Sequence, residues 1–266
     1  KMLPSSLSQS LAKQLYALPD RHGVLVWLDH SNQVLAIDVC EKAYAETARL
    51  LHSNSGAVLM KQSTKVRFVY AVGRLHAVQI KAQLMSEYGL RPSEIRQTYF
   101  TVHFAPDARS RLQARIMALK NGRLEHQPYG LFLHKKSAKR SLIEWAASEG
   151  LCPASLDILP VTYAKDVPCP KQEIGHCSGE CQTVEGIAEQ NQIISAAANK
   201  LPVAEWGKAH EVEVLETDGL TGKQIVLRLK GGALVMPDGS WYFDDALPMV
   251  MKSKFKQGAE VVRVLA

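Results

Sequence analysis

The spacing of apolar residues changes repeatedly along the first hundred positions. Residues 5–17 read as a polar lead-in helix. "HGVLVWLD" and "QVLAIDV" are short apolar runs flanking the turn "HSNQ", as in a β-hairpin. "CEKAYAETARLLHS" returns to helical spacing, with Ala43, Thr47, Leu50 and Leu51 on one face. "KVRFVYAV" alternates as a strand. "RLHAVQIKAQLMSEYG" places Leu75, Val78, Ala82 and Met85 on one helical stripe, with Gly89 as its stop. Two strands, helix, strand, helix make a small α+β unit.

Beyond residue 98, "YFTVHF" predicts a strand. "SRLQARIMAL" is ambiguous, because Leu112, Ala114 and Ile116 alternate while its composition favours helix. "KKSAKRSLIEWAASEG" predicts a helix with Ser137 as N-cap and Gly150 as stop. A proline-rich stretch follows, then the helix "TVEGIAEQNQIISAAANKL". The tail is β-rich: "HEVEVLE", "KQIVLRLK", "ALVMPDGSWYF" with a Pro-Asp-Gly turn, and "EVVRVL". The fold class expected is α+β, in three regions: 18–100, 101–201 with the cysteines, and 202–266.

Composition narrows the classes only slightly. Apolar content of 46% and charged content of 22% are ordinary for a globular chain. A net charge of +6 with pI near 9.0 is compatible with a nucleic-acid partner without requiring one. No apolar run approaches the roughly 18 residues of a membrane span. The N-terminal stretch lacks the apolar centre of a signal peptide. The expectation is therefore a cytoplasmic protein with no membrane partner and an undetermined oligomeric state.

Cysteine distribution is uneven. Three of the five cysteines fall in "CPKQEIGHCSGEC", as Cys169, Cys177 and Cys181. Cys152 precedes them in "SEGLCPAS", and Cys40 lies far away as a small packed residue. An odd count in a reducing compartment fits disulfides poorly. Four thiolates suit zinc or an iron–sulfur cluster. The spacing is neither a zinc ribbon nor a ferredoxin pattern, and four unrelated thiols stay open as an alternative. His176 is a substitute ligand or a plain loop residue.

The segment "PYGLFLHKKSAKRSLIEWAASEGLC", with the cysteine run and the helix after it, resembles the UvrC/Cho-type excision nuclease family. That family has the same Cys-x7-Cys-x3-Cys run behind one further cysteine. The resemblance implies a 4Fe-4S cluster on Cys152, Cys169, Cys177 and Cys181, with zinc as the alternative; the first gap is longer here than in the family. Upstream, "LPDRHGVLVWLD", "LAID" and "KVRFVYAVGRLHAVQIKAQLMSEYGLRP" resemble the family's GIY-YIG nuclease domain. Some relatives carry this half behind a proofreading-type exonuclease, and the Lys1-Met2 start leaves a longer parent open.

The resemblance fails at the catalytic positions. A GIY-YIG nuclease uses tyrosines to activate water, an arginine for the phosphate and a glutamate for the divalent ion. Here Leu25 and Ala36 stand at the tyrosines. Asp38 stands at the glycine of the second motif, with Val39 after it. Glu46 stands at the arginine and Lys81 at the glutamate. A one-residue slip offers Arg49 for the arginine but does not restore the set. Glu46 and Lys81 either pair across the old cleft or stand as independent surface charges. Tyr44 and Tyr70 read as packing residues. No catalytic residue is assigned: the expectation is an inactive relative that binds DNA or supports a DNA-repair assembly with protein partners. An endonuclease with a rebuilt site, or an interaction scaffold, are the alternatives. For the DNA contact the candidates are Lys135, Lys136, Lys139 and Arg140, and, if extended, Lys252, Lys254 and Lys256. Each group is otherwise a solvated face.

Overall fold

A computed structural model describes residues 7–158, 179–203, 205–207 and 209–266. The first unit opens with α1 (Gln9–Tyr16), capped by the Ser8 hydroxyl, which accepts from Leu11 N–H. Strands β1 (Gly23–Leu28), β2 (Val34–Cys40) and β3 (Lys65–Tyr70) form an antiparallel sheet in the order β2-β1-β3. All six residues of β1 are buried because both faces of this central strand are covered. Val24, Val26 and Leu28 meet Ala77, Leu84 and Met85 of α4 (Arg74–Glu87) on one face. Leu25 and Trp27 face a core built with Leu11, Leu15, Ala43 and Met60. The last two come from α2 (Ala43–Leu50) and α3 (Asn54–Gln62).

Helix α3 has no counterpart in the sequence reading. Only Gly56 and Met60 are buried along it, so no apolar stripe announces it. Gly56 is what lets it dock. A Cβ there would lie 1.9 Å from the Leu50 carbonyl oxygen.

The middle region settles the ambiguous segment as a strand. β5 (Leu112–Ala118) pairs with β4 (Phe100–Pro106) over their full lengths, and β7 (Tyr129–Phe132) pairs on the other side. Helices α5 (Lys135–Ser148) and α6 (Val184–Ala197) pack on this sheet. The N-cap of α5 is His134 rather than Ser137, because the chain leaves the extended state directly after β7. Trp145 locks the two helices together by donating from Nε1 to the Ala197 carbonyl at 2.8 Å.

Six antiparallel strands follow in the order β12-β8-β9-β10-β11-β6. They are β8 (Glu211–Thr217), β9 (Gln224–Lys230), β10 (Ala233–Val235), β11 (Trp241–Phe243), β12 (Val262–Val264) and, from the middle region, β6 (Gly122–Leu124). Their inner face packs on α4 and on α7 (Leu247–Lys256) in one core with Leu75, Val78 and Ala82. The C-terminal sheet thus borrows a helix from the first unit and a strand from the second. No helix among the described residues is long and apolar enough to cross a membrane.

Candidate functional site

The four basic candidates of the middle region stand together at the start of α5. Lys135, Lys136, Lys139 and Arg140 are all exposed, while Ala138, Leu142, Trp145 and Ala146 anchor the opposite face. No ion pair among the described residues involves any of the four. No acidic residue occupies the first turn, and no side chain caps it. Cations at a helix N-terminus oppose the helix dipole, each by about 0.3–1 kcal/mol. Lys135 and Lys136 stand beside the uncapped N–H groups and Lys139 and Arg140 follow in the second turn, so the four form a concentrated positive end.

The second basic candidate does not survive. Residues 251–257 are not extended, since Leu247, Val250 and Met251 bury one face of α7 and Pro248 favours its first turn. The lysines therefore diverge. Lys252 Nζ contacts Glu205 at 3.1 Å and Lys254 Nζ contacts Glu216 at 2.8 Å, leaving Lys256 exposed in the last turn.

At the positions that the sequence resemblance set against catalytic ones, the side chains have structural surroundings of their own. Leu25 is 4% exposed and belongs to the core, and Ala36 lines the same cluster. Glu46 Oε1 accepts the backbone N–H groups of Glu41 and Lys42, at 2.9 and 3.2 Å, and so steadies the start of α2. Asp38, opposite Leu25 in the β1–β2 register, lies in the field of Lys81, Arg96 and Glu46. Desolvation raises its pKa and Glu46 adds to the rise, while Lys81 and Arg96 pull it back. Among the described residues Glu46 and Lys81 form no ion pair. Arg49 is exposed and Tyr44 is 39% exposed.

Tyr70 has a larger task than packing. Its hydroxyl donates to Asp218, the Arg21 guanidinium lies 4.5 Å over its ring, and Arg21 also pairs with Asp218. The Tyr70 hydroxyl, then the Leu220 N–H and Arg21, hold the Asp218 carboxyl well below the usual carboxylate range. Nothing local in the sequence marks this contact, whose partners are far apart along the chain.

Cys169 and Cys177, with His176, lie outside the described residues. Cys152 is half-buried just after the end of α5. Cys181 is buried in the single 3-10 turn Glu180–Gln182 that precedes α6. Gln182 Nε2 lies 3.7 Å from Cys181 Sγ, and Arg109 Nη1 donates to Gln182 Oε1 at 2.9 Å. Ser155 is tied to Gln190 of α6 at 2.8 Å, which fixes the 152–158 stretch against the same helix. Among the described residues no group of three or more His, Cys, Asp or Glu could hold a metal ion. Cys40 is 2% exposed in the first core, and burial, with the nearby Glu46 charge, pushes its thiol up to about 12.

No curated protein matches this chain. Among solved structures, the GIY-YIG N-terminal endonuclease domain of UvrC from Thermotoga maritima, bound to its catalytic divalent cation magnesium, is 12% identical with a TM-score of 0.29. That likeness covers 32% of this chain and 96% of the other. Two point mutants of the same domain give 12% identity and a TM-score of 0.29, covering 32% of this chain and 94% of theirs. Residues 99–200 match the UvrC/Cho excinuclease middle domain. That region, which contains the basic helix and the four cysteines, is thus similar to the UvrC/Cho excinuclease middle domain over 102 of the 266 residues.

Proposed function

We propose that this protein binds DNA through the N-terminal end of α5 and acts as an accessory factor in excision repair, without nuclease activity of its own. The observation that carries the reading is the set of four unpaired cations on the first turns of α5, inside the region that matches the excinuclease family. They cost helix stability where they stand, and a phosphate backbone offsets that cost. Replacing Lys135, Lys136, Lys139 and Arg140 together by glutamine should weaken binding to duplex DNA. If each meets one phosphate, the slope of log affinity against log salt should fall by about 3 to 4. The variant should keep or slightly raise its melting temperature, since a repulsion within the helix is relieved. An unchanged salt slope, or no DNA binding by the parent protein at low salt, would favour the scaffold alternative.

Residues 18–100 are read as a GIY-YIG-like unit that has lost its chemistry. The support is local. Leu25 is locked in the core, Glu46 is engaged as a helix cap, and Lys81 and Arg96 put positive charge beside Asp38, where a divalent cation would be repelled. Purified protein should leave duplex, nicked and damaged DNA uncut with magnesium or manganese. Cleavage that disappears on changing Tyr44 or Arg49 would establish a rebuilt site.

The four cysteines are read as ligands of a 4Fe-4S cluster. The donor set is all thiolate, which suits iron–sulfur chemistry, and both described members flank the core under α5 and α6. Such a cluster would tie the stretch between the two helices and supply an electron-transfer centre if solvent reaches it. Anaerobically purified protein should hold about four iron and four sulfide per chain. Changing Cys177→Ser should abolish the iron and lower the melting temperature, whereas Cys40→Ala should leave metal content unchanged. Stoichiometric zinc would identify the alternative.

A further inference from the structure

We propose that the half-open aromatic cleft between β4, the β6–β7 connection and α6 receives an unstacked nucleobase of single-stranded or locally opened DNA. This rests on the DNA-binding reading above and specifies what part of the nucleic acid the middle region takes.

The cleft is a cavity of about 330 Å³. That is the low end of the range for ligand sites and room enough for one planar heterocycle. Its walls are rings that the cores leave partly open: His103 and Phe104 of β4, Tyr129 at the start of β7, His126 on the connection, and Trp241 of β11. Phe104 and Tyr129 meet edge to face at 5.7 Å, and Phe104 lies 5.5 Å from Trp145, so this side is held from behind by the core. His103 and His126 stack with centroids 4.2 Å apart and planes 25° from parallel.

Two facts point from these rings to a base. First, a flat face is already built. Two imidazoles stack this closely without mutual repulsion only if at least one is neutral, and desolvation, with His126 beside it, lowers the His103 pKa. The stacked pair therefore presents a preformed π-surface beside β4, the central strand of its sheet, with little reorganisation left to do. Base–aromatic stacking is worth about 1–3 kcal/mol per base and needs no particular sequence. Second, the cavity lining also carries polar groups. Glu125 and Ser195 line the same cavity and supply acceptors and a donor for exocyclic amino and keto groups. Gln127 also lines it, but its amide nitrogen is engaged with Asn199 and His210.

The placement fits one bound strand. Tyr129 begins β7 and the chain enters α5 just after that strand ends. Four residues of strand span roughly 10–13 Å. A strand held by its phosphates at the cationic end of α5 thus has a base pocket within reach of its next nucleotides.

The test compares two ligands of equal length and charge: a short single-stranded oligonucleotide of mixed sequence, and the same backbone made abasic throughout. Fluorescence anisotropy should show the base-bearing strand binding about 5- to 160-fold tighter, the range that stacking of one base provides. Either His103→Ala or His126→Ala should remove most of that preference and leave abasic affinity unchanged, whereas His103→Phe should retain it. His126 is exposed, so its variant guards against a misfolded β4. Equal affinity for the two strands, or a preference that both alanine variants keep, overturns the cleft and leaves the phosphate contacts of α5 standing. Failure of both strands to bind removes the DNA reading and the cleft with it. The four-glutamine variant of α5 should lower both affinities by the same factor, which separates the two contacts.

Discussion

Replacing Glu216 by alanine should cost about 3–5 kcal/mol of unfolding free energy and lower the melting temperature by roughly 10 °C, the loss expected when one partner of a buried ion pair is removed. The Glu216 side chain is 1% exposed. One carboxylate oxygen accepts the Leu75 N–H at 2.9 Å and the other accepts the His76 N–H at 2.7 Å. Lys254 Nζ completes the set at 2.8 Å and is itself only 14% exposed. A carboxylate from β8 thus caps α4, whose own N-cap, Gly73, has no side chain to do so. Gly73 is needed for the approach, because a Cβ there would lie 2.6 Å from the Glu216 carboxyl carbon. Removing the carboxylate leaves two N–H groups at the positive end of a 14-residue helix and a poorly hydrated ammonium with no counter-charge. Loss of Lys254 should cost less, since Glu216 would keep both N–H donors. Adding Lys254→Met to Glu216→Ala should recover part of the loss, because the uncompensated ammonium is then gone. Urea unfolding of the four proteins measures all three quantities. A Glu216→Ala loss below about 1 kcal/mol would show that apolar contacts alone hold α4 to the C-terminal sheet.

That contact also marks where the sequence stops being informative. Elements with a strong internal period were legible. The β1–β2 hairpin, α5 and the strands of the tail follow from patterns that each segment carries by itself, whereas α4 buries Leu75, Val78 and Ala82 in one core and Ala77, Leu84 and Met85 in another, so the single stripe read from its sequence is only part of its buried surface. Helix α3 was invisible because Gly56 and Met60 are its only buried residues. The lysines of residues 251–257 would share a face only in an extended segment, a condition the helix does not meet; the deciding apolar residues, Leu247 and Val250, lie at the helix start. β5 was ambiguous alone and became a strand through its seven-residue pairing with β4. The candidate site divides in the same way. The cationic cluster on α5 is local, and the sequence shows it. His103 and His126, or Tyr70 and Asp218, meet only after the sheets have formed, and no spacing rule joins positions 148 residues apart. Glu46 and Lys81 carry opposite charges, and yet the nearest demand on Glu46 is the uncapped start of its own helix.

Stability should also fall as the pH drops from 7 to 4, and His210 by itself should contribute about 3 kcal/mol of that fall. His210 is 0% exposed, at the foot of β8, with its ring stacked on Tyr129 at 6.0 Å. Burial first, then the Lys230 charge, lower its pKa from 6.5 to about 4 against the opposing pull of Glu211. The hydrogen bonding agrees with a neutral ring. Gln127 Nε2 lies 3.4 Å from Asn199 Oδ1 and 3.4 Å from His210 Nε2. An amide that gives one hydrogen to Asn199 turns the other toward His210 Nε2, which must then accept and carry no proton. His210 Nδ1 has no partner among the described residues. A second proton on the ring would set a donor against a donor inside an apolar pocket. The sign of the pH effect follows. The unfolded chain takes up this proton near pH 6.5 and the folded chain only near pH 4, so between those values the unfolded state holds more protons. The stabilisation is complete above pH 6.5, declines as pH falls, and is gone below about 4. His76 and His103, whose pKa values burial also lowers, act in the same direction, so the parent curve alone does not isolate His210. His210→Phe keeps a ring against Tyr129 and removes the titration. The difference between the parent and this variant, measured by urea unfolding at half-unit steps from pH 4 to 7, should change by about 3 kcal/mol across that window. A difference that stays constant with pH would mean that the folded protein accommodates the charged imidazole, and the fall would then belong to His76 and His103.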